Sequence, residues 1–283
     1  MNSLRRILFY LKPYWKQILF SILFLFLVTS VDLLIPRQIQ RIIDQGIVPG
    51  NMALVGNVML IMIALVLTSM LFSIGNIVLA VRVSESFAAD IRDAAYRQTQ
   101  RFSFGNLDRL QTGELLVRLT SDVGKIKLVT MMTLVMAFRA PLMIVGALAM
   151  MLTTSPRLAV LLIALLPLIT LLLWGFTVKS RPLYNAVQRR LDRLNTILQE
   201  NLAGVHVVKA FVRADYENQR FDQANTALTD TAIQVNQLAA LLMPTMIAII
   251  NAGMIAVVWF GGSLAIKGLL TEGEIVAFIN YLL

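Results

Sequence analysis

Five long apolar runs dominate this 283-residue chain and leave few ways for it to fold. They cover roughly residues 17–36, 54–81, 128–153, 158–178 and 238–262, and each is long enough for a helix across a hydrocarbon core. A backbone in lipid finds no water for its amides, so such runs cross as helices that satisfy their own hydrogen bonds. A sixth apolar run occupies residues 274–283, where about nine residues give only about 14 Å of helix, half a crossing. The sequence therefore reads as an all-α polytopic membrane protein whose last helix is truncated. Charged residues make up only 14% of the chain, which excludes a disordered protein and sets it apart from an ordinary soluble domain. With no cysteine and one histidine, His206, a cysteine-based metal centre or a histidine triad has no ligands here.

The basic residues set an orientation. Four of the 25 Lys and Arg lie in residues 1–17, eight in 82–127 and eight in 179–220, which places 20 on one side. Arg37, Arg41, Arg157 and Lys267 fall opposite, and Arg139 lies in or at the third span. By the positive-inside rule the N-terminus is cytoplasmic, and the net charge of +9 needs no nucleic-acid partner. The expected location is a plasma membrane, in a bacterium the inner one.

The cytoplasmic segments have a helical beat. Val83, Phe87, Ile91 and Ala94, and later Leu183, Val187, Leu191, Leu194 and Leu198, recur at spacings of three or four. These are amphipathic helices that continue the membrane helices outward. About 24 residues per arm correspond to about 36 Å. Each pair of arms turns at a short tip, one near Gly105–Val117 and one near Asn201–Phe211, where Gly204 and three valines interrupt good helix formers. Apolar tips on long arms either dock a partner or pack on each other, and periodicity does not choose between them.

The stretch Thr112-Gly113-Glu114-Leu115-Leu116-Val117-Arg118-Leu119-Thr120-Ser121-Asp122-Val123 resembles the first intracellular loop of type IV ATP-binding-cassette (ABC) exporters. The stretch Glu200-Asn201-Leu202-Ala203-Gly204-Val205-His206-Val207-Val208-Lys209-Ala210-Phe211 resembles their second. The likeness covers nearly the whole chain and implies one transmembrane domain over 1–283, with six helices and two short coupling helices. It also implies a second half-transporter, identical or different, with helices four and five exchanged between halves. Gln111, Thr112, Gly113 and Glu114, and Gly204, Val207, Val208 and Phe211, would then contact nucleotide-binding domains. Neither a Gly-x-x-x-x-Gly-Lys-Ser/Thr loop nor a Walker B acid occurs in the chain, so it is not expected to hydrolyse ATP alone. ATP and Mg are expected on a nucleotide-binding domain C-terminal to residue 283 in a parent protein. The substrate class implied is a hydrophobic or amphipathic small molecule, drug-like or lipid-like.

Asp32 and Arg139 are candidate substrate-path residues, because a charge inside a membrane is expensive. Each also has a plain reading, Asp32 as a rim residue near Arg37 and Arg139 as a snorkelling residue near a cytoplasmic boundary. Pro141, Pro167 and Pro244 are candidate hinges in helices three, four and five. Glu272 and Glu274 are placed to cap helix six. Two other readings stand beside the exporter. A secondary transporter needs paired charges near mid-bilayer or inverted repeats, and the sequence displays neither. A non-transporting scaffold would use the arms to hold a soluble partner.

Overall fold

A computed structural model describes residues 7–102 and 112–283, and helix accounts for nearly all of them, with no strand among the described residues. A 3₁₀ turn at Lys12–Tyr14 leads into α1, Trp15–Arg41, which runs on through a π-helical segment, Ile42–Ile47. Next comes α2, Met52–Gln100, whose Asn51 N-cap accepts the Leu54 amide at 3.1 Å. Its 49 residues span about 74 Å, so the second apolar run and its arm form one rod. The third crossing is segmented. It comprises α3 (Thr112–Val117), a π segment (Arg118–Asp122), α4 (Val123–Met132), a second π segment (Thr133–Ala137) and α5 (Arg139–Thr154). Two further rods, α6 (Pro156–Ala203) and α8 (Ala214–Ile266), flank the six-residue α7 (Val205–Ala210). The chain closes with α9, Glu272–Leu282.

Five of these helical runs are long and apolar enough to cross a membrane: Ile7–Ile47, Met52–Gln100, Leu115–Thr154, Pro156–Ala203 and Ala214–Ile266. All extend past the apolar stretches that mark them in the sequence, because intrahelical hydrogen bonding does not stop where hydropathy falls. The first is the clearest instance. Its apolar run ends at Pro36, yet helical geometry continues to Ile47.

The chain divides into two compact units, residues 1–156 with 261–283, and residues 157–260. In the first, α1 packs against α2, α5 and α9. The α1–α2 seam holds a stacked pair, Phe24 and Phe72, with ring centroids 5.8 Å apart. Beside it, the Asn76 amide donates to the Ser21 carbonyl at 2.8 Å and to its hydroxyl at 2.9 Å, with both residues buried. At the α1–α5 seam, a Cβ on Gly146 would fall on the Leu33 side chain, so the absent side chain sets how near these helices lie.

The α9 seam depends on Asp44. One of its carboxylate oxygens accepts the Thr271 hydroxyl at 2.6 Å and the other accepts the Gly273 amide at 2.9 Å. Thr271 is the N-cap of α9, and Glu274 completes a capping box with it. Of the two acids expected to cap this helix, Glu274 is therefore the reciprocal partner of Thr271, while Glu272 sits in the first turn. The carboxylate of Asp44, from another helix, adds charge where the α9 dipole favours it. Lower down, the Tyr281 hydroxyl donates to the Leu33 carbonyl at 2.9 Å, and Phe278 and Ala277 are buried.

In the second unit, Leu194, Ile197 and Val235 are buried, and Arg220 on α8 pairs with Glu200 on α6. Leu168, Leu171, Leu172 and Phe176 of α6 and Leu238, Leu241 and Ile249 of α8 line an apolar cleft of about 540 Å³. Lys179 stands among these lining residues.

A Cβ at Gly273 would lie 2.6 Å from both the Gln40 carbonyl oxygen and an Asp44 carboxylate oxygen. One of those atoms is backbone, which cannot swing aside. Gly273→Ala is expected to destabilise the first unit by about 1–3 kcal/mol, read as a lower unfolding temperature of the purified protein in detergent. An unchanged temperature would mean that the α1–α9 contact is looser than described.

Candidate functional site

Two places in the fold carry unusual groups: the turn between α6 and α8, and a polar cluster among α1, α2 and α5. The turn is built by local chemistry. Gly204, at φ −95° and ψ 9°, ends α6, and α7 restarts with the Val208 amide donating to the Gly204 carbonyl at 3.0 Å. Phe211, at φ −96° and ψ 6°, ends α7, and Val212 then adopts φ 51°. A β-branched residue in the left-handed region is strained by its own Cβ, so the reversal into α8 is imposed by the surrounding hydrogen bonds. One of these joins the Arg213 amide to the Val208 carbonyl at 2.9 Å. The resulting helix is about 9 Å long. Val207 is 60% exposed, Phe211 73% and Val212 84%, whereas Val208 is half-buried and His206 is exposed.

Of the residues expected at the other tip, Gln111 lies outside the described residues. Thr112, Gly113 and Glu114 open α3, with Gly113, Leu116 and Val117 exposed. This arm is tied to α2 by charge. Lys127 pairs with Glu85 at 2.9 Å, and Arg92 donates to the Leu119 carbonyl inside the first π segment at 3.2 Å. Ahead of the first apolar run, the Tyr14 hydroxyl donates to Asp90 at 2.7 Å. That hydrogen bond to a carboxylate, with some help from burial, raises the Tyr14 phenol above its ordinary pKa.

The polar cluster joins residues far apart in the chain. Arg139 Nη2 donates to one Asp32 carboxylate oxygen at 3.2 Å, and the Ser69 hydroxyl donates to the other at 3.0 Å. Asp32 stands 15 residues before Ile47 and Arg139 15 before Thr154, so both lie about 22 Å from the helix ends remote from the arms. Arg37, expected beside Asp32, instead donates to the Thr153 hydroxyl. Asp32 and Arg139, which the sequence presents as separate charges, form an ion pair across a separation of 107 positions.

The prolines behave differently from one another. Pro141 falls in the first turn of α5, where a missing amide costs little, and the break lies before it, in the π segment and the turn at Phe138. Pro167 and Pro244 sit inside α6 and α8, which continue through them, as α6 also does through Pro182.

Val212→Gly is expected to relieve the left-handed strain and stabilise the turn by about 1 kcal/mol, seen as a small rise in unfolding temperature. A fall would show that the Val212 side chain, not its backbone, holds the tip.

Comparison with known proteins places these features. Residues 18–283 match the ABC transporter transmembrane region. The chain is 32% identical over 278 residues to the uncharacterized ABC transporter ATP-binding protein YfiB of Bacillus subtilis, covering 98% of this chain and 48% of that protein. It is 27% identical over 201 residues to an ATP-dependent lipid A-core flippase of Syntrophus aciditrophicus, covering 71% of this chain and 33% of the flippase. It is 32% identical over 193 residues to a fatty acid ABC transporter ATP-binding/permease protein of Mycobacterium bovis, covering 68% and 30%. The chain thus spans about half the length of the Bacillus relative.

Proposed function

This chain belongs to the ABC transporter transmembrane family, and on that premise we propose that it forms one membrane-spanning half of an ATP-driven exporter. In this reading the arms lie in the cytoplasm, the side to which the basic residues point, and a second half, identical or different, completes the path. ATP and Mg bind nucleotide-binding domains, which the parent protein carries beyond residue 283 if it has the length of its relatives. The cargo is a hydrophobic or amphipathic small molecule that partitions into the bilayer before it is moved.

The observation that supports coupling is α7. A six-residue helix held between rods of 48 and 53 residues, with Val207 and Phe211 bare to solvent, has the form of a docking element. Rods of that length transmit a push at the tip into the membrane, because a packed helix bends little over its span. Gly204 and Phe211 bound the docking helix, Val207 and Val208 supply its apolar contact, and Gln111, Thr112, Gly113 and Glu114 serve the other tip. Pro167 and Pro244 are positions at which the rods can bend; Pro141 serves α5 in the same way only together with the π segment before it.

Phe211→Asp in the full-length protein tests this. Placing a charge at an apolar contact is expected to lower the transport of a fluorescent amphiphile per ATP hydrolysed about tenfold, corresponding to about 1.4 kcal/mol of lost contact. Transport and hydrolysis are measured together in inverted vesicles. A ratio equal to that of the parent would remove α7 from the coupling path.

A further inference from the structure

The apolar cleft of the second unit carries a charge at one end only. Its walls run from Leu168 to Lys179 on α6 and from Leu238 to Ile249 on α8, about 16 Å along each rod. Lys179 is the first charged residue of α6 after Arg157, so it stands where the apolar run gives way to the arm. On α8 no charged residue occurs between Asp230 and Lys267. Thr245 contributes a hydroxyl to the lining, and it already donates to the Leu241 carbonyl at 2.7 Å. Lys179 is exposed and, among the described residues, has no acid or acceptor beside it.

Length and chemistry together select an occupant. A hydrocarbon core is about 30 Å thick, so about 16 Å is the depth of one leaflet and the reach of one acyl chain. A crossing helix of another chain runs through both leaflets and would be met by a groove of about twice that length. The cleft volume, about 540 Å³, suits a single ligand. Lipid tails are as apolar as leucine, so the walls accept any chain without preference. Preference comes from Lys179, whose ammonium is a point charge that binds phosphate without demanding a planar partner. Since 20 of the 25 basic residues mark the cytoplasmic side, Lys179 belongs to that leaflet, where cations between helices attract anionic headgroups.

We propose that this cleft is a resident-lipid site, in which one acyl chain of an anionic phospholipid lies between α6 and α8 with its phosphate on the Lys179 ammonium. The lipid fills a gap between two rods whose own side chains do not close on each other, and it is not cargo. Gly175 fits this role. It lines the cleft, and a Cβ built on it would meet nothing within 4 Å, so a side chain there would occupy the space that the acyl chain needs. Glycine inside a helix is less stable than alanine, so here the cleft is kept open at a cost in helix stability. The inference needs only that α6 and α8 cross a bilayer, and it stands or falls apart from the exporter reading.

The test uses the full-length protein in phosphatidylcholine nanodiscs that carry a trace of photoreactive lipid, either phosphatidylglycerol or phosphatidylcholine with a diazirine in the acyl chain. Cross-linked peptides are mapped by mass spectrometry. Phosphatidylglycerol is expected to label residues 171–176 and 238–242 about fivefold more than phosphatidylcholine, the factor for one cation at the membrane surface. Lys179→Gln is expected to remove that preference while labelling by phosphatidylcholine persists. Gly175→Leu is expected to reduce labelling by both lipids several-fold with Lys179 in place, and replacing a glycine inside a helix favours folding. Labelling is expected to persist during ATP turnover and in excess glycerol phosphate. Equal labelling by the two lipids overturns the proposal. So does absence of both from these residues, the result if a second half covers the cleft. Loss of label on ATP turnover would make the lipid a cargo, and loss to glycerol phosphate would make the site one for a free phosphate; either contradicts a resident lipid. None of these results bears on Phe211 and coupling, so the exporter reading is tested separately.

Discussion

A hydrocarbon layer offers polar groups no water, and α1 with the π segment that continues it carries four polar groups met by other elements. Ser21 is met by Asn76, Asp32 by Ser69 and Arg139, Arg37 by Thr153, and Asp44 by Thr271 and Gly273. The partners come from α2, α5, and α9 with the residue that caps it, so these contacts name the neighbours of α1 one by one along its length. Each hydrogen bond within a membrane is modest, averaging about 0.6 kcal/mol, but leaving one partner of an ion pair alone is far more costly. The contacts thus act less as glue than as a register. A slide of α1 by one turn would break them together.

That register distinguishes the two units. The first unit is tied by polar links spread from Ser21 to Asp44, whereas the ion pair joining α6 to α8 lies at the arms, between Glu200 and Arg220. Where α6 and α8 are apolar, they border a cleft instead. Polar links thus run along the helices of the first unit and gather at the arms in the second. The Asp32–Arg139 ion pair belongs to the first unit.

Much of the architecture is legible in the residues. Five crossings follow from apolar length, the arms follow from a three-four beat that outlasts the apolar run, and α7 falls within the turn that Gly204 and the valines mark. The ends of helices are less legible. Beyond Pro36 the residues turn polar, yet the helix continues because its own hydrogen bonds and the Asp44 link to α9 sustain it. Least visible are the long-range pairs. Ser69 gives no local sign of its role, and Asp32 and Arg139 look like separate anomalies until folding brings them together across 107 positions. A single sequence carries periodicity but no record of which distant residues meet. The π segments are hidden for a similar reason, since their composition is that of ordinary helix.

The central claim is that the Asp32–Arg139 pair couples α1 to α5 energetically and is not an accident of proximity. A double-mutant cycle on unfolding stability, with Asp32→Asn, Arg139→Gln and both together, measures this directly. The account requires a coupling energy of at least about 1 kcal/mol, with the double variant more stable than the sum of the single losses implies. Additivity within about 0.3–0.5 kcal/mol would contradict it, leaving Asp32 and Arg139 as two unrelated charges that merely face each other.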